Sequence, residues 1–177
     1  MTEIDTFSNK LLDEAKWFFE EAKTKDNSAR DRYLHASILL GFAGLESQLN
    51  SIANDFADRK EFSILEKSLM LQRDFSFEKG EFTLKDKLKM SRIDQRIEFL
   101  YRFFSGVPVD PSVQWYSSLK QGIDIRNKLT HPKENIHFSI KQIEGILQAI
   151  IETLDVLYKV IYKKTYPKAS LGLKSTL

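Results

Sequence analysis

The chain contains no cysteine. Disulfide staples and thiolate metal sites are therefore excluded, and the absence fits a reducing compartment. Histidine is scarce as well: His35, His131 and His137 are the only three in 177 residues. They are too few and too scattered to build a conventional zinc site. Long apolar runs are missing. The longest, Ile38 to Leu45, falls far short of the roughly 20 residues that a membrane-spanning helix needs. The opening residues, Met1-Thr2-Glu3-Ile4-Asp5, are acidic and polar and do not read as a signal peptide. The expected location is cytoplasmic, with no membrane partner. A Gly-rich phosphate loop, Gly-x-Ser-x-Gly and His-Glu-x-x-His are all absent.

Neither sign of charge dominates. The net charge of +2 is too small to announce nucleic acid. Its distribution says more. Residues 1–60 carry 8 Lys/Arg against 11 Asp/Glu, and residues 61–177 carry 19 against 14. After Asp155 come Lys159, Lys163, Lys164, Lys168 and Lys174, with no acid. A basic end is compatible with a polyanionic partner, and equally with a solvated helix end. The length suits one domain, expected over residues 1–165, with a flexible basic tail at 166–177.

Helical periodicity dominates, which predicts an all-α, antiparallel bundle of five to six helices. Residues 5–26 read as an amphipathic helix with Leu11, Leu12, Ala15, Phe18, Phe19 and Ala22 on one side. Residues 29–57 are apolar nearly all round, with Leu39, Phe42, Ala43, Leu45, Leu49, Ile52, Ala53 and Phe56, as in a buried helix. A short helix is expected near 62–72. Alternation around Lys79-Gly80 predicts a small β-hairpin at 75–84. Helix resumes at 88–104, with Ile93, Ile97, Leu100, Tyr101 and Phe104 inside. Asp110 and Pro111 read as the N-cap and first turn of a helix ending at Thr130. The last helix opens with the capping box Ser139-x-x-Gln142. It carries the seam Ile143, Leu147, Ile150, Leu154, Leu157 and Ile161. Trp17, Trp115 and the many phenylalanines read as core rather than as a base-stacking platform.

The most informative stretch is Arg126-Asn127-Lys128-Leu129-Thr130-His131-Pro132. Arginine can fork onto a phosphate. Histidine is the side chain best suited to moving a proton near neutral pH. Together they are the minimum kit for handling a phosphodiester without a metal. Pro132 pushes His131 out of the α region. The ring is then free to swing, and Arg126, Asn127 and His131 can converge at the helix's C-terminal mouth. The plainer reading is helix termination. A cation near a helix C-terminus is favoured by about 0.3–1 kcal/mol, and proline beyond a C-cap is ordinary. Glu46 lies on the strip of Leu39, Ala43, Asn50 and Ala53. It needs a partner if buried, and Arg126 is the natural one. Glu46 at the edge of the face, reaching water, is the alternative. His35 reads as packing and His137 as a surface loop residue, with a second acid/base role as its other reading.

The motif Arg126-Asn127-x-x-x-His131, closing one helix before a long amphipathic one, resembles the HEPN superfamily. The small-residue-rich, Glu46-bearing segment His35 to Asn50 resembles the earlier helix of such domains. The resemblance spans roughly residues 30 to 165. It implies a metal-independent endoribonuclease, acting as a homodimer whose two motifs meet at one composite site. No metal or cofactor is expected. Arg126 would stabilise charge on the scissile phosphate, His131 would act as general acid or base, and Asn127 would orient either. RNA would be cut through its 2′-OH, and DNA would not. Members serve as toxins, phage-defence effectors or RNA-processing factors, so an antitoxin or nucleotidyltransferase partner is a further expectation. One toxin subfamily carries a modifiable tyrosine two positions after the histidine. Lys133 stands there instead, which argues against control by adenylylation. Other members are non-catalytic interaction or nucleotide-binding modules, and the short motif leaves that alternative open.

Overall fold

The computed structural model describes residues 3–133 and 135–177; Met1 and Thr2 of the polar opening stretch lie outside them. Six α-helices and one hairpin follow in order: α1 Glu3–Thr24, α2 Asn27–Asp55, α3 Ile64–Leu71, β1 Arg73–Glu78, β2 Glu81–Leu88, α4 Ile93–Ser105, α5 Gln114–Thr130 and α6 Ile140–Tyr162. The chain is a helical bundle with a two-stranded antiparallel appendage.

Local chemistry sets most boundaries. Asp26 caps α2 by accepting from the Ala29 N–H at 2.9 Å. Ser63 and Glu66 cap α3 reciprocally. Ser139 accepts from the Gln142 N–H at 3.1 Å and opens α6. Lys79 and Gly80 both take positive φ, 53° and 87°, as a tight hairpin turn whose twist matches its strands requires.

The two-residue link at 25–26 folds α2 back along α1. Ser8 pairs with Ser47, and the Ser37 hydroxyl donates to the Ala15 carbonyl, so the two run antiparallel. α2 packs along α6 in parallel instead, the contacts rising together along both helices: Gly41 faces Leu147, Gln48 meets Tyr158 and Asp55 meets Tyr162. The core gathers Phe19, Leu34, Phe42, Leu49, Leu100, Leu119 and Leu154 from five helices. On α6 the seam from Ile143 to Leu157 is buried, and Ile161 packs against its edge. Two crossings are closer than a side chain allows. A Cβ on Gly44 would meet Leu12 at 2.7 Å, and one on Gly122 would meet Ile146 at 2.5 Å and the Phe42 ring at 3.0 Å.

Several expectations change. α2 is not buried all round: Leu39 and Ala43 are exposed. Trp17 is 37% exposed, because it stands two residues from both Ala15 and Phe19 and so on the face of α1 opposite to theirs. Phe7, Phe77, Phe82 and Phe103 are exposed as well. The hairpin extends to Leu88, which pairs with Arg73, so α4 starts at Ile93 rather than at 88. α5 starts at Gln114. Asp110 accepts instead from the Ser112 N–H at 2.8 Å and its hydroxyl, closing a local turn before the helix. The segment read as a flexible tail lies along α1. Tyr166 is buried, its hydroxyl donates to Asn9 at 2.8 Å, and the Ser175 N–H donates to Glu20 at 3.1 Å.

Candidate active site

The site grows out of the Gly122 crossing. Phe42 on α2 sits against Gly122 on α5. Four residues on, one helical turn in each, come Glu46 and Arg126. The same register that packs the ring therefore faces carboxylate to guanidinium. Arg126 Nη2 donates to Glu46 Oε1 at 2.8 Å, and Nη1 donates to Asn127 Oδ1 at 3.2 Å. Each partner of the ion pair keeps 32% of its side-chain surface exposed. A pair this open is worth less than about 1 kcal/mol in stability. Its effect is to orient the fork.

α5 ends where the proline rule puts it. His131 is the C-cap residue, at φ −130° and ψ 61°, and its N–H returns to the Asn127 carbonyl at 2.9 Å. The Thr130 hydroxyl turns back onto the Arg126 and Asn127 carbonyls at 3.1 and 3.2 Å, sharing the second with the His131 N–H. The His131 side chain is exposed, and its ring forms no hydrogen bond among the described residues.

Two hollows meet here. The first, about 420 Å³, is lined by Phe42, Glu46, Met90 to Asp94, Ile123, Asp124, Arg126 and Asn127. The second, about 380 Å³, is lined by Asn127, Lys128, His131, Lys133 and Ile136. Asn127 belongs to both. Arg126, Asn127 and Glu46 are thus brought together. His131 lies next door, and within one copy it does not open onto the hollow that holds Arg126.

The charged frame beneath was not anticipated. Arg96 is 1% exposed. Its Nη2 donates to Asn50 Oδ1 at 2.8 Å and to the Met70 carbonyl at 2.7 Å, while Nε is buried with no partner among the described residues. Burial pulls its pKa down to about 10, against the opposing pull of the Glu46 charge. The sequence signal was present: position 96 falls on the stripe of Ile93, Ile97 and Leu100. Asp94, 3% exposed, is gripped by Arg92 at 2.7 and 3.1 Å and by Lys120. Burial pushes its carboxyl up, but the hydrogen bonds and charges of Lys120 and Arg92 prevail and hold it below the usual range. A depressed folded-state pKa stabilises above the unfolded value, about 3.9. That stability disappears as pH falls through the lower folded value. Asp94→Asn is expected to flatten the stability loss below about pH 4, read from urea midpoints against pH.

The other histidines stand apart. His137 Nδ1 lies 2.6 Å from Asp31 Oδ2 on the surface. His35 packs edge-on to Phe138, with centroids 5.6 Å apart and Nε2 buried with no partner among the described residues. Among the described residues no three His, Asp or Glu side chains gather as a metal site requires, and no helix is long and apolar enough to cross a membrane. No protein-family model, curated protein or solved structure matches the chain.

Proposed function

We propose that the chain is a metal-independent endoribonuclease of the HEPN type, active as a two-fold homodimer. The observation that supports it is the oriented Arg126 fork beside the exposed, uncommitted His131 ring, with Asn127 on the wall of both hollows. On this reading the scissile phosphate lies against Arg126, which neutralises the charge that builds in the transition state. A His131 imidazole takes the proton of the ribose 2′-OH. The 2′-oxygen forms its bond to phosphorus as the P–O5′ bond breaks, and the 5′-oxygen leaves with a proton given by the protonated second histidine of the composite site. The products are a 2′,3′-cyclic phosphate and a 5′-hydroxyl. A second copy supplies what one copy separates: two motifs at an isologous interface place two arginines and two histidines around one phosphate. Leu39 and Ala43, exposed on α2 before Glu46, form an apolar strip that such a copy would cover. The proposed setting is a toxin or phage-defence system, with an antitoxin as partner.

A second reading, a non-catalytic interaction or nucleotide-binding module, has its own observation. Glu46 already neutralises Arg126, and His131 faces solvent from a different hollow.

Single-stranded RNA incubated in EDTA separates them. The first reading expects cleavage with cyclic-phosphate ends, while DNA of the same sequence survives. Intact RNA selects the second. Light scattering at tens of micromolar should show a dimer, and a monomer there would remove the composite site.

A further inference from the structure

The hollow beside Arg126 has features that phosphate chemistry does not use. Its volume, about 420 Å³, is within the roughly 300–1,000 Å³ of small-ligand sites. Met90, Ile93 and the edge of Ile123 give it apolar surface. Of its three carboxylates, two are committed: Glu46 to Arg126, and Asp94 to Arg92 and Lys120. The third, Asp124, is exposed on α5 two residues before Arg126. It makes no hydrogen bond or ion pair among the described residues. Its charge is nevertheless felt by the Arg92 guanidinium. Arg92 is itself held through Nε and Nη2 by Asp94, which leaves Nη1 outside that fork. The hollow therefore presents a two-oxygen acceptor, a fixed guanidinium with spare donors, and apolar surface between them.

We propose that this hollow takes one base of the RNA, the guanine next to the scissile phosphate, and that Asp124 is its specificity-determining residue. The inference rests on the RNA-cleavage reading above. A carboxylate accepts only. Guanine alone among the four RNA bases presents two adjacent donors, N1–H and the N2 amino group, to two oxygens at once. Its O6 and N7 are acceptors that suit an arginine, here Arg92. Adenine and cytosine offer Asp124 a single exocyclic amine. Uracil offers it one ring N–H between two carbonyl oxygens, which a carboxylate repels. The apolar lining receives the faces of the base.

The test pairs cleavage with binding, using the full chain. The RNAs are uridine tracts carrying a single G, A or C, or none. Wild type is expected to cut at G at least about fivefold faster than elsewhere, the low end of what one bidentate base contact contributes. Asp124→Ala is expected to keep cutting and lose that preference. Asp124→Asn, whose amide donates as well as accepts, is expected to shift it away from G. In parallel, 5′-GMP and 5′-UMP are titrated into wild type and both variants by calorimetry. Cleavage without G preference, or with a preference that both variants retain, overturns the guanine pocket and leaves the nuclease reading intact. No cleavage, but GMP binding over UMP that Asp124→Ala abolishes, sinks the nuclease reading and keeps the pocket. Neither cleavage nor GMP preference overturns both.

Discussion

Replacing His131 with alanine is expected to slow RNA cleavage by at least about a hundredfold, the lower range for loss of a general acid or base. The melting temperature should not move. The ring is solvent-exposed and bonds to nothing described, so its removal opens no cavity and strands no partner. Arg126→Lys should also fail. An ammonium can still reach Glu46, but it cannot hold Glu46 and Asn127 with one planar group while facing a phosphate. Arg126→Ala is less clean, because it leaves Glu46 half-buried above Arg96. Arg126→Lys is therefore the informative variant, with melting measured beside activity. Wild-type rates from both His131→Ala and Arg126→Lys would end the catalytic assignment and leave the pair as a helix terminus.

Phe42→Ala carries the largest expected change in stability. The ring is 1% exposed and lies where α2 meets α5. Truncating a buried phenylalanine costs about 3–5 kcal/mol, or roughly 6–20 °C in melting temperature for a domain of this size. Calorimetry reads this directly. Leu39→Ala, three residues earlier on the same helix, is the control. Leu39 is 39% exposed in a single chain, so the substitution should stay within about 0.5 kcal/mol for a monomer. A much larger loss that grows with protein concentration would show that a second copy covers the strip.

Where the chain's own punctuation decides the structure, the sequence was legible. Pro132 ends α5 at Thr130, Ser139 starts α6, and Lys79-Gly80 turns the hairpin. Each is a short-range constraint that no distant contact overrides. The Glu46–Arg126 pairing was legible for another reason: a carboxylate on a largely apolar helix needs a cation, and the motif offered one. What failed was decided elsewhere in the fold. Leu88 is a strand residue because Arg73 lies opposite it, 15 positions away in the chain. Asp110 resembles a helix cap, yet it spends its oxygen on Ser112. Arg96 falls on an apolar stripe, but only the Met70 carbonyl and Asn50, from two other elements, make its burial tolerable. The tail carries no strong pattern, and its placement depends on Asn9 and Glu20 of α1. At the site, both motif residues lie at the expected helix end. Their separation into adjoining hollows was not legible, because it depends on how Ile136 and Lys133 of the following loop pack beside His131.

The hairpin raises a question of colloidal behaviour. Its sheet has two strands, so both are edges. Phe77 and Phe82 stand directly opposite each other, 63% and 57% exposed. An open ladder with an aromatic face is a template for strand addition and, at high concentration, for cross-β growth. The flanking residues work against that. Between the Arg73–Leu88 and Phe75–Leu84 pairs β2 advances four residues while β1 advances two, and this irregularity bends β2 out of register at the base of the hairpin. Lys85 and Lys87 lie on β2, with Lys89 just beyond it, and they pair with acids of β1, Lys85 with Glu78 and the other two with Asp74, so a further strand laid against this edge meets solvated charge rather than an apolar ladder. The expected result is that copies of this chain resist polymerising edge to edge although the arm keeps its aromatic face in water, which light scattering at high concentration checks.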